Sequence, residues 1–143
     1  MAIKQITVFL ENRAGRLLEI TQLLAYNKID LRALNIAETT DYGLLRIIVD
    51  DSEKALAVLK ESGAIATTTD VLAVAVPNIP GGLNTLLQVL ANANVDVSYM
   101  YSIFGHADEN AYMILQLADA DEVAGILKNK GIVVADAQKL GIN

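Results

Sequence analysis

Two short turns carry the residue types and spacing best suited to chemistry in this chain. The first is Glu11-Asn12-Arg13-Ala14-Gly15-Arg16-Leu17 and the second is Pro77-Asn78-Ile79-Pro80-Gly81-Gly82-Leu83. Each follows a β-branched, strand-like run and opens a run of apolar residues at helical spacing. A strand that turns directly into a helix must reverse tightly, and glycine lets the backbone approach whatever lies above the turn. The helix start that follows offers unpaired N–H groups and the positive end of the helix dipole, a place for a small anion such as a carboxylate. Asn12 and Asn78, three residues before Gly15 and Gly81, add amides that both donate and accept hydrogen bonds. A free amino acid needs this combination, with its carboxylate met by backbone donors and its ammonium by a carbonyl or carboxylate.

Other chemistries are excluded by what the sequence lacks. It has no cysteine and one histidine, His106, among its 143 residues. Thiolate nucleophiles, disulfides and the multi-imidazole sites of catalytic zinc go with them. No Ser-His-Asp or Cys-His set is expected, and no glycine-rich phosphate loop appears. Carboxylates at Asp50-Asp51 and at Asp119-Asp121-Glu122 fall at expected helix starts, where capping explains them. The reading is of a protein that is not an enzyme and uses neither metal nor cofactor. A net charge of −6 and a pI near 4.6 argue against nucleic acid and anionic membranes, which need clustered Lys and Arg. The N-terminal residues lack a basic-then-apolar leader profile, and the longest apolar stretch, Val71 to Val76, is strand-sized. A soluble, cytoplasmic protein is expected.

The elements that position the two turns are written twice. Gly15 aligns with Gly81 at an offset of 66, which also matches Asn12 with Asn78, Gln22 with Gln88, Leu24 with Leu90 and Asp30 with Asp96. Beyond mid-repeat the offset becomes 68, pairing Asp51 with Asp119, Lys60 with Lys128 and Gly63 with Gly131. Apolar patterning alone would not keep Asn, Gly, Asp and Lys in one order. Each half reads strand (3–10; 71–76), helix (15–27; 80–93), strand (29–39; 95–104), polar tip, strand (44–49; 111–117), helix to Ser62 or Asn129, and a short last strand (65–69; 132–137). Leu17, Ile20 and Leu24, and in the second half Leu83, Leu86, Leu87 and Leu90, mark the helix faces. Pro80 suits a first helical turn, Asp51 and Asp119 suit caps, Asp119 with Glu122 has capping-box spacing, and Gly63 and Gly131 suit helix stops.

This order gives an α+β fold of two ferredoxin-like βαββαβ units in tandem, residues 1–69 and 70–143, each an antiparallel sheet with both helices on one face and the other face open. No Pro/Gly/Ser linker separates them. Units of this size are marginal alone, and 53% apolar residues suits two small sheets that cover each other and a second chain, so a homodimer is expected.

The chain resembles the ACT domain family of small amino-acid-binding regulatory modules, and does so twice. The residues that carry the resemblance are Asn12-x-x-Gly15-x-Leu17 with Lys28-Ile29-Asp30-Leu31, and Asn78-x-Pro80-Gly81-x-Leu83 with Asn94-Val95-Asp96-Val97. The resemblance implies a ligand held between two ACT domains, by the first turn of one and a polar residue at the second strand of its neighbour. By position these are Asn12, Ala14, Gly15, Arg16 and Leu17 with Asp96, and Asn78, Pro80, Gly81, Gly82 and Leu83 with Asp30, or the same residues paired with a second chain. The second-strand residue is often Asn in the family and is Asp in both halves here. That change favours a ligand ammonium or repels its carboxylate. The apolar neighbours Leu17, Leu83, Ile36 and Ile103 favour a hydrophobic side chain on the ligand. The implied function is an amino-acid sensor whose occupancy is read by a separate enzyme or transcriptional regulator.

Plainer roles stand beside these. Asn12 and Asn78 suit turn caps, the glycines suit turn geometry alone, and Asp30 and Asp96 suit solvated edge-strand charges. Tyr99 and Tyr101 share a strand face and suit either packing or an aromatic-ligand pocket. A module that assembles without ligand is the alternative to a sensor. Single-stranded RNA binding through the sheet, which needs exposed aromatics and basic surface, fits poorly.

Overall fold

The computed structural model describes residues 2–38, 41–104 and 109–142. His106 and the centres of both hairpin tips lie outside the described residues. Seven strands and four helices follow one another: β1 (Ile3–Glu11), α1 (Arg16–Tyr26), β2 (Leu31–Glu38), β3 (Tyr42–Val49), α2 (Ser52–Glu61), β4 (Ala66–Pro77), α3 (Gly82–Asn92), β5 (Val97–Ser102), β6 (Asn110–Leu117), α4 (Ala120–Asn129) and β7 (Val134–Ala135).

The chain forms two compact units. One holds Lys4–Thr69 with the C-terminal end from Gly141, the other Asp70–Leu140 with the N-terminal end up to Ile3. In the first, the strands run β2-β3-β1 and then the opening of β4. The β1–β3 and β2–β3 pairs are antiparallel, with Val8 opposite Leu45 and Leu34 opposite Ile47. In the second, β5 pairs β6, β6 pairs β4, and β4 pairs β7, all antiparallel. The strands expected at 65–69 and 71–76 are one 12-residue strand, β4. Nothing in Thr67-Thr68-Thr69-Asp70 breaks extended backbone, because threonine favours it and neither glycine nor proline intervenes.

Both helices of each unit cover one sheet face. In the first unit Ile6, Val8, Leu45 and Ile47 meet Ile20, Leu24, Ala55 and Leu59; in the second Leu72, Val74 and Leu115 meet Leu86, Leu90, Val123 and Leu127. The opposite face, expected to be open, is not bare: Gln5, Ile48, Ala73, Tyr112 and Ile114 are buried. The expected α3 stripe divides, with Leu86 and Leu90 in the core and Leu83 and Leu87 about two-fifths exposed.

The helix ends depart from sequence expectation in two places. Asp51 caps α2, its Oδ1 accepting from the Lys54 N–H at 3.1 Å. Asp119 occupies the corresponding place before α4 in a left-handed conformation (φ 56°) and makes no side-chain cap, so the expected capping box is not formed. An N-cap carboxylate reaches the N3 amide from extended backbone, as at Asp51 (φ −135°). Pro80 precedes the cap residue Gly81 and lies in the turn, outside the first helical turn, because left-handed Gly81 delays α3 until Gly82. Gly63 and Gly131 do follow their helices with positive φ. Lys28 and Asn94 share that backbone after α1 and α3 (φ 58° and 57°), unexpected at Lys28 because lysine is not a usual left-handed residue, whereas asparagine is.

Candidate functional site

Gly15 and Gly81 are the hinge points of the two turns. Both have φ 85°, the left-handed region open to glycine, and each stands as the residue before its helix. Neither helix receives a side-chain cap at its start. Asn12 and Asn78 are exposed and make no side-chain hydrogen bond among the described residues, so their turn-capping role is not what the geometry displays. In α3 the first α-helical bond is Thr85 N–H to Gly81 O, while Gly82 N–H donates to Ile79 O. The N–H groups of Leu83 and Asn84 find no acceptor among the described residues. Those of Leu17 and Leu18 in α1 are in the same condition.

Around this shared backbone the two turns carry different surroundings. The second lines a cavity of about 550 Å³, within the range of small-molecule sites. Pro77 at the end of β4, Pro80, Gly81 and Gly82 in the turn, and Asn84 and Thr85 in α3 form one side. Ile132 and Val133 beyond α4 add apolar surface, Asn110 an amide, and Lys130 the only charged group lining it among the described residues. Gly82 has a special part: a Cβ there would lie 2.1 Å from Pro77 O, so any side chain forces the strand end away from the helix start.

The first turn lines a smaller cavity, about 210 Å³, with Asn12, Gly15, Arg16, Leu17, Glu38 and Tyr42 among its walls. Four charged side chains span that turn. Arg13 Nη1 and Nη2 donate to the two Glu19 carboxylate oxygens at 2.9 and 2.8 Å. Arg16 Nε donates to Glu11 Oε1 at 3.1 Å and its Nη1 to Glu19 Oε2 at 3.1 Å. The two guanidinium groups hold the Glu19 carboxyl far below its ordinary 4.5, at about 2.

The remaining expected site residues are placed apart from these cavities. Ala14 is exposed in the first turn, and Leu83 and Asn78 do not line the second cavity. Asp30 is turned to its own unit: its backbone N–H donates to Asp50 Oδ1 at 3.0 Å and its carboxylate accepts from Arg32 Nη1 at 2.6 Å. Asp96 is exposed, with Ser98 where the first repeat has Arg32. Sequence reasoning missed Lys130, Thr85 and Asn110 as cavity walls. Lys130 was legible only as the tail of α4, and nothing local says that the end of α4 borders the start of α3. Tyr99 and Tyr101 stack on each other, ring centroids 6.4 Å apart. Among the described residues no group of three His, Asp or Glu side chains could hold a metal ion, and no helix is long and apolar enough to cross a membrane.

Two βαββαβ units, each with a left-handed glycine between first strand and first helix, define a tandem ferredoxin-like architecture. The family profile described as an ACT domain pair matches residues 1–142, and the chain belongs to that family. It is similar to protein BT0572 from Bacteroides thetaiotaomicron, with 39% identity, 99% of this chain and 96% of that one covered, and a TM-score of 0.90. The regulatory subunits of aspartate kinase from Thermus thermophilus (16% identity, 88% and 91% covered, TM-score 0.62) and Thermus flavus (15%, 88% and 90%, 0.60) share the fold. A search of curated protein sequences gives no match.

Proposed function

We propose that this chain is a non-catalytic regulatory module that senses a free amino acid at its glycine turns. The observation that carries the reading is the start of α3: the Asn84 N–H, which has no acceptor among the described residues, stands with Gly81 and Gly82 at the rim of a cavity of about 550 Å³. A carboxylate placed there meets that donor, the helix dipole and the Lys130 ammonium together. The ligand's ammonium meets carbonyl and amide oxygens of the same cavity. Membership of the ACT domain pair family supports the same reading, as do fold relatives named as regulatory subunits of a kinase.

Occupancy would act on a separate enzyme or transcriptional regulator, since a ligand shifts a conformational equilibrium only by the difference in its affinity for the two states. Thermal unfolding followed against each of the twenty amino acids at millimolar concentration is the test. A ligand at 100 times its Kd stabilises the native state by about 2.7 kcal/mol, enough to raise Tm by several degrees. A flat response to all twenty would sink the reading.

A further inference from the structure

The two turns are copies in sequence position yet opposites in charge, and the difference assigns them different work. Position by position, Glu11, Arg13, Arg16 and Glu19 of the first turn are replaced by Pro77, Ile79, Gly82 and Thr85 in the second. In the first, every one of the four charges is already matched. Arg13 is held bidentately by Glu19, and Arg16 is held between Glu11 and Glu19 with only 15% of its side chain exposed. A ligand carboxylate arriving there competes with two resident carboxylates for the same guanidinium groups. It also enters a space of about 210 Å³, under half that of the second cavity. In the second turn no carboxylate lines the cavity among the described residues, and no arginine stands over the helix start. At Gly82, the position matched to Arg16, Pro77 O closes off any side chain, so no guanidinium can stand there.

Building on the sensor reading above, we propose that the two turns are unequal: the second-repeat cavity binds one amino acid per chain, and the first turn is closed by its own ion-pair network. The cavity walls also select the ligand. Val76, Ile79, Leu86, Ile132 and Val133 supply apolar surface, and Lys130 is the single charge. An uncharged, apolar side chain suits these walls. A basic side chain would face Lys130 with no carboxylate to pair it, and an acidic one would compete with the ligand's own carboxylate for the single Lys130 ammonium.

The test titrates ¹⁵N-labelled protein with leucine, isoleucine, valine and each other amino acid in turn, following the Gly15 and Gly81 amides by NMR and stoichiometry by calorimetry. One apolar amino acid should bind with one site per chain, moving Gly81 and leaving Gly15 in place. Ile79→Arg with Thr85→Glu, both at exposed positions, introduces the counterpart of the Arg13–Glu19 pair into the second turn and should weaken binding by about tenfold or more, near 1.4 kcal/mol. Arg13→Ile with Glu19→Thr should keep the second-site affinity. Melting temperatures of both variants confirm that each still folds. Two sites per chain, movement of Gly15 alone, or binding lost in the Arg13/Glu19 variant but kept in the Ile79/Thr85 variant overturns the inequality while the sensor reading stands. A wild-type chain that binds none of the twenty removes the sensor reading itself.

Discussion

At the scale of single residues, the chemistry of the first turn rests on Glu19. Its carboxyl sits at about 2 against an ordinary 4.5, chiefly because Arg13 and then Arg16 hydrogen-bond its ionised form. A depressed folded-state value stabilises the fold above the unfolded carboxyl's titration, and that contribution is lost as pH falls from near 4.5 through about 2. The groups are solvent-exposed, so the effect on global stability is small and the local readout is the useful one. A carboxyl-carbon NMR titration should place the Glu19 midpoint near 2, and Arg13→Ala should move it up toward 4.5. A wild-type midpoint at 4.5 would dissolve the network described for this turn. Asn12 and Asn78 illustrate the opposite lesson. Their spacing from the glycines drew attention to both turns, yet their side chains are exposed, and backbone geometry with the charges at neighbouring positions distinguishes one turn from the other.

At the scale of elements, repeated sequence does not mean repeated local structure. Asp51 and Asp119 are matched positions, yet only Asp51 caps its helix. Asp51→Ala should therefore cost about 1 kcal/mol, the usual loss for a removed N-cap. Asp119→Gly should leave stability within about 0.5 kcal/mol, because no cap is lost and glycine accepts the left-handed backbone there. Chemical denaturation of the two variants measures both, and equal losses would contradict the difference in cap geometry. The helix stops followed the sequence more closely, since Gly63 and Gly131 end α2 and α4 by a conformational freedom visible in the residue itself. Lys28 and Asn94 reach the same backbone in the turns that close α1 and α3. The N–H groups after each of these residues, Ile29 and Val95, return to Leu24 O and Leu90 O, closing the helix end as a strand begins.

At the scale of the molecule, two hydrophobic cores of the same design occupy two units. Leu59 and Leu127, matched at the offset of 68, are fully buried in their respective cores. Leu59→Ala and Leu127→Ala should each cost about 2–5 kcal/mol, as large-to-small core changes do, and urea unfolding would read the loss. A loss below about 1 kcal/mol at either position would mean that its core tolerates a cavity that close packing forbids. Strand β4 runs through the point where one repeat ends and the next begins, so the boundary is a position along a strand and has no linker of its own.

The sequence by itself determined the repeat, the strand and helix order, the ferredoxin-like units and the two glycine turns, because periodicity, turn residues and duplication are local or near-local signals. It also carried the charge difference between the turns, as Glu11, Arg13, Arg16 and Glu19 against Pro77, Ile79, Gly82 and Thr85. Its meaning was not legible there. Only the folded structure showed both guanidinium groups on Glu19 at once, and only the tertiary structure brought Lys130 and Val133 beside the start of α3. The second of these joins residues about fifty positions apart, a separation that local spacing does not encode. A cavity is the shape left between elements after packing, and no single element contains it.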